Sequence, residues 1–183
     1  MKLVNKLMIT MLALGMTVAF GQVDTNVASH NISITIPNVA LLDIESGAAS
    51  NDIDLAFDAP TEAGLGLADK TDNSLWLNVT SIILNGSTRN ITVKAVSPVD
   101  GLDLKVGTTG CTTGFGSWGN STAEFTLDGT DQTLVSNIKS GYTLNGPGSG
   151  YPLSYTVSPT ASNDFGNLES GAKTVAVTYT LTL

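Results

Sequence analysis

The chain is poor in the residues from which most enzymes and nucleic-acid readers assemble their sites. It holds one histidine, His30, and one cysteine, Cys111, in 183 residues. A zinc centre needs several Cys or His ligands, so one of each is too few. A lone thiol also cannot form an intramolecular disulfide. Any Ser-His-Asp or Cys-His set would have to use His30. That residue falls in phase with Ile32 and Ile34 on an apolar face and reads as a packed strand residue. No serine stands in a Gly-x-Ser-x-Gly elbow. Eight Lys and Arg face sixteen Asp and Glu, for a net charge of −8. An acidic chain with scattered cations offers no electrostatic footprint for nucleic acid or anionic lipid. Helical periodicity is missing too, since no stretch holds a period of 3.6 for three turns.

Apolar runs are short except for the first. Lys2 and Lys6 precede about 14 uncharged, largely apolar residues, Leu7 to Phe20. A spanning helix needs roughly 20, and Ala19-Phe20-Gly21 supplies the small residues of a cleavage site before Gln22. This is the pattern of a secretory signal peptide at residues 1–21. Export to the periplasm, the outer cell surface or the medium is therefore expected, with no membrane insertion after cleavage. Residues 22–183 have the length of one domain with a real core. Removing Lys2 and Lys6 leaves that domain more acidic still.

What the chain does have is a period of two. His30, Ile32, Ile34 and Ile36 alternate with Asn31, Ser33 and Thr35. The same alternation recurs at Ile53/Leu55/Phe57, Leu75/Leu77/Val79, Ile91/Val93/Ala95, Leu102/Leu104/Val106, Phe125/Leu127 and Leu153/Tyr155/Val157. It is cleanest at Val175, Val177, Tyr179, Leu181 and Leu183. Residues 39–44 and 133–138 are less regular but strand-like. Alternation of this kind marks strands with one buried and one wet face. Turn signals separate them: Asn85-Gly86, Asp100-Gly101, Asp128-Gly129 and Asn145-Gly146-Pro147-Gly148. The expectation is an all-β fold, a single antiparallel two-sheet sandwich of immunoglobulin-like or jelly-roll-like type with about eight to ten strands. Residues 107–120 and 158–172 form its longest irregular stretches, where function often sits.

Constellations that could carry chemistry are few. Gly114-Phe115-Gly116-Ser117-Trp118-Gly119 matches the dinucleotide fingerprint by letter. That motif works only where a strand feeds a helix, and here a turn-rich loop leads to another strand. Asp52, Asp54 and Asp58 read as a solvated strand edge. Asp100/Asp103 and Asp128/Asp131 are turn pairs; they lack a full Asp-x-Asp-x-Asp-Gly series, so Ca²⁺ through loop oxygens is the one metal left open and no cofactor is expected. Five Asn-x-Ser/Thr sequons (Asn31, Asn78, Asn85, Asn90, Asn120) reflect composition. Trp118, Tyr142 and Tyr151 lie in glycine-rich loops and are the candidate ligand-binding residues, because exposed aromatics grip sugar rings and partner surfaces.

Three stretches carry a resemblance: residues 36–44, IPNVALLDI; residues 89–94, RNITVK; and residues 175–181, VAVTYTL. Together they look like a group of small exported β-sandwich proteins of Gram-negative bacteria. More distantly, the layout is similar to fimbrial subunits of the chaperone–usher type, which carry an alternating N-terminal extension and an alternating final strand with a Tyr near its end. Two features depart from that pattern: such subunits usually carry a Cys pair, and Tyr179 stands fifth from the last residue. The resemblance implies a non-enzymatic structural or adhesive surface protein whose partners are copies of itself, other surface proteins or glycans. His30, Ile32, Ile34 and Ile36 would then form one assembly strand, and Val175, Val177, Tyr179 and Leu181 the other. A soluble module binding carbohydrate or protein through its loop aromatics is the alternative. Only Pro37 and Asn38 separate residues 28–36 from the next apolar run, and this short link favours pairing within the domain over pairing with a neighbour.

Overall fold

The structure, a computed structural model, describes residues 26–160 and 163–182. The expected leader lies outside the described residues. By its internal contacts the chain divides into residues 1–35 and residues 36–183. Within the first unit, residues 27–35 carry no strand and their side chains are exposed.

The second unit is an antiparallel β-sandwich. Its strands are β1 (Val39–Ser46), β2 (Lys70–Asp72), β3 (Leu75–Ile82), β4 (Arg89–Val96), β5 (Leu102–Thr108), β6 (Phe115–Gly116), β7 (Asn120–Ser121), β8 (Phe125–Thr126), β9 (Gln132–Ile138), β10 (Gly141–Tyr142), β11 (Tyr151–Pro159) and β12 (Ala176–Thr182). One 3₁₀ turn, Asn163–Asn167, precedes the last strand. In the larger sheet β6, β10, β3, β11, β5 and β8 follow one another, with β1 paired to β3 and β2 to β11. The smaller sheet runs β12, β4, β9, β7. Twelve strands among the described residues exceed the eight to ten expected, because β2, β6, β7, β8 and β10 are two- or three-residue pieces too short to show a period.

The period of two becomes two facing layers. From the larger sheet Leu75, Leu77, Val79, Tyr151, Leu153, Tyr155 and Val106 are buried. Ile91, Val93 and Ala95 meet them from β4, with Leu134, Val135 and Ile138 from β9. Two register shifts between β4 and β9 mark a bulge. An extra residue on one strand re-aims its side chains, and the consecutive Leu134 and Val135 are both buried. The hydroxyls of Tyr155 on β11 and Tyr179 on β12 hydrogen-bond to each other, tying the last strand to the opposite sheet.

Two expected strands did not form. Residues 53–57 alternate in burial, and Ile53 and Leu55 pack on the core, but the segment joins neither sheet. Residues 28–36 form no strand either: Ile32, Ile34 and Ile36 are 75%, 79% and 71% exposed. A period of two records which side chains need cover; it cannot supply the neighbouring ladder. His30 is exposed as well, not packed.

Candidate functional site

The three loop aromatics part company in the fold. Tyr151 is 1% exposed and belongs to the core, so it is removed from the candidate ligand site. The physical reason is phase: Tyr151 opens β11 and points inward with Leu153, Tyr155 and Val157. Its hydroxyl donates to the Trp118 carbonyl oxygen at 2.5 Å. Burial pushes its acidity well below that of a free phenol, and the nearby Cys111 adds to the shift.

Tyr142 remains on the surface. Register places Leu41 opposite Thr80, Thr80 opposite Tyr142, and Tyr142 opposite Phe115, giving one row across the outer face of the larger sheet. The Phe115 and Tyr142 rings are 5.7 Å apart and tilted by 44°. Leu41 and Phe115 are more than half exposed. Phe115 was not among the residues expected to bind, because it sits inside the Gly-rich stretch. That stretch contains β6 and is followed by β7, with no helix, so it is no dinucleotide site. Its glycines serve close approach. At Gly119, where φ is +75°, a Cβ would lie 2.0 Å from the Ser136 carbonyl oxygen.

Trp118 is half-buried against the core. It lines a cleft of about 620 Å³ together with Thr109, Gly110, Cys111, Ser117, Gly119, Asn120, Ser121, Asn137 and Lys139. Its indole N–H is buried and finds no acceptor among the described residues. Cys111 is free, and its Sγ donates to the Thr113 carbonyl at 3.0 Å. Asn137 holds a left-handed φ of 62°, a conformation that Asn tolerates better than most residues.

Of the two turn pairs, Asp128 and Asp131 already have partners. Asp128 Oδ1 accepts from the Thr130 backbone N–H and hydroxyl at 2.7 and 2.6 Å, and these bonds hold its carboxyl below the usual range. Asp131 pairs with Lys94 and Asp58 with Lys70. Among the described residues no three His, Cys, Asp or Glu side chains gather as a metal site.

The two assembly strands also differ. β12 ladders along its whole length with β4, from Ala176 opposite Val96 to Thr182 opposite Asn90. Val177, Tyr179 and Leu181 are half-buried on the core, and Val175 packs there just before the strand begins. Among the described residues, β12 ladders with β4 alone and β1 with β3 alone. The two edges approach each other, and Leu42 and Ile44 of β1 are likewise only half covered. Arg89, buried at the start of β4, donates from Nη2 to Asn38 Oδ1 at 2.6 Å, fixing the backbone where β1 begins.

No family model, curated protein or solved structure matches this chain.

Proposed function

We propose that this is an exported, non-enzymatic subunit of a cell-surface fibre, assembled when residues 28–36 of one copy add as a strand to the sandwich of the next. The observation that carries the reading is an uncovered strand-like segment beside uncovered edges. Ile32, Ile34 and Ile36 are the most regularly spaced apolar residues left in solvent. In the acceptor, the seam between β1 and β12 leaves Leu42, Ile44, Val177, Tyr179 and Leu181 half covered. Strand addition supplies main-chain hydrogen bonds along such an edge and pockets for alternate side chains. Burying each isoleucine is worth about 1.5–3 kcal/mol, so three rival a small domain's whole stability. The leader pattern and the resemblance of the sequence layout to fimbrial subunits are in keeping with this reading.

The test compares wild type with Ile32→Asp/Ile34→Asp by analytical ultracentrifugation and thermal melting. Wild type is expected to form concentration-dependent linear oligomers. The variant is expected to stay monomeric and melt at the temperature of the wild-type monomer. A wild type that is monomeric throughout, or a variant monomer that melts well below it, would show that the segment serves its own domain.

The exposed Leu41, Tyr142 and Phe115 row favours a second reading, a binding module for sugar or protein. Tyr142→Ala should then abolish retention on a glycan array or by a surface-protein partner while leaving oligomerisation intact.

A further inference from the structure

The Trp118 cleft differs in charge from the rest of the molecule. Acids outnumber bases two to one in the chain, yet no Asp or Glu lines this cleft. Its one charged group is Lys139. Lys70, Lys94 and Lys173 each have a carboxylate within reach, whereas Lys139 forms no ion pair among the described residues. The other polar groups are the amides of Asn120 and Asn137 and the hydroxyls of Ser117 and Ser121. Amides and hydroxyls both donate and accept, which suits a ligand carrying several hydroxyls. The indole of Trp118 adds apolar surface. The wall is stiff, because the chain at Gly119 touches the Ser136 carbonyl too closely for any side chain.

Volume narrows the class further. The cleft is open, with most of its lining side chains exposed, and at about 620 Å³ it has room for more than a lone phosphate or carboxylate. We propose that the cleft binds a carboxylate-bearing sugar residue, with its carboxylate on Lys139 Nζ and its hydroxyls on Asn120, Asn137, Ser117 and Ser121. A charge-assisted bond of this kind is stronger than a neutral one and selects the acidic sugar over its neutral counterpart. The site is complete within one copy, so it stands whether or not the chain forms fibres.

The experiment uses sodium glucuronate and glucose as probes. Trp76→Phe leaves Trp118 as the sole tryptophan, and its emission is followed as each sugar is added. In parallel, the rate of Cys111 labelling by a thiol reagent is measured on the wild-type chain, which needs no tryptophan replacement. Glucuronate is expected to change the emission saturably and to slow labelling, with glucose doing neither at equal concentration. Lys139→Gln should weaken glucuronate by about tenfold, the worth of one charge-assisted bond, with its circular dichroism unchanged. Equal responses to the two sugars, unchanged affinity in Lys139→Gln, or no saturable response by either readout would each overturn the proposal.

Discussion

The hydroxyl pair between Tyr155 and Tyr179 makes the place of the last strand measurable. Tyr155 is 5% exposed and Tyr179 is half-buried, and each hydroxyl has the other as its partner. Tyr155→Phe removes one hydroxyl and leaves the other facing apolar surroundings. The lost bond and the stranded group together cost about 1–3 kcal/mol. Tyr179→Phe should cost a similar amount for the mirror-image reason. The double variant removes both groups and strands neither, so it should lose less than the sum, with a coupling of about 1–2 kcal/mol. Urea denaturation of the four proteins measures this as midpoint shifts at constant slope. A third variant, Thr178→Ala on the exposed side of β12, should stay within about 0.5 kcal/mol. Additive single effects, with coupling below about 0.3–0.5 kcal/mol, would show that the two rings do not meet. The final strand would then not be fixed to the opposite sheet, and the contrast between the two ends of the domain would fall.

Alkaline pH should unfold the domain cooperatively. Burial raises the pKa of Tyr151, Tyr155 and Tyr179, that of Tyr155 from 10.0 up to about 12. The folded state then binds more protons than the unfolded one, so stability is unaffected below about pH 10. Above that it falls by about 1.4 kcal/mol per pH unit for each tyrosine still protonated only when folded; in a Tyr142→Phe background, which removes the exposed phenol, phenolate absorbance rising before circular dichroism is lost would contradict this. Gly119→Ala should destabilise strongly, by about 3 kcal/mol or more, since it combines a disfavoured φ with a backbone collision; a melt within 2 °C of wild type would refute the close approach. Cys111→Ser should cost about 1 kcal/mol, because it keeps a donor to the Thr113 carbonyl and trades a half-buried thiol for a hydroxyl. Collapse of the fold would place Cys111 deeper than it is seen.

The sheets were legible in the sequence wherever one strand ran long enough to alternate. Leu75/Leu77/Val79 and Ile91/Val93/Ala95 announce two core layers, and both are buried as read. Residues 133–138 looked irregular for a local reason: the bulge buries Leu134 and Val135 in succession. The short pieces β6, β7 and β10 have no period to read and exist only because a longer strand offers its edge. For the site, Tyr151 was misassigned from the glycines that precede it, although it shares the phase of Leu153, Tyr155 and Val157 two residues on. Phe115 lay hidden inside a glycine-rich stretch. Of the cleft, Trp118 and the 107–120 stretch stood out in the sequence, but Asn137 and Lys139 gave no signal, because only the ladders bring the segments around 110, 119 and 138 together.

The two ends of the domain carry the same alternation and meet different fates, and this difference is the strongest physical ground for assembly. At the C-terminal end β4 provides a ladder and Tyr155 a hydroxyl, so the pattern is consumed within the chain. Residues 28–36 are in no strand among the described residues, and Ile32, Ile34 and Ile36 are exposed. Proteins that leave a strand-like segment exposed usually blunt it with Lys, Glu or Pro, because bare β-prone apolar surface recruits other chains. Between Ala28 and Ile36 there is no Asp, Glu, Lys, Arg or Pro; the first break is Pro37. Elsewhere the chain does spend charge on exposed alternation: Asp52, Asp54 and Asp58 flank Ile53, Leu55 and Phe57, of which Ile53 and Leu55 already pack on the core. Under the proposed fibre reading, guarding the segment that needs little protection while leaving three exposed isoleucines bare fits a segment that another molecule covers.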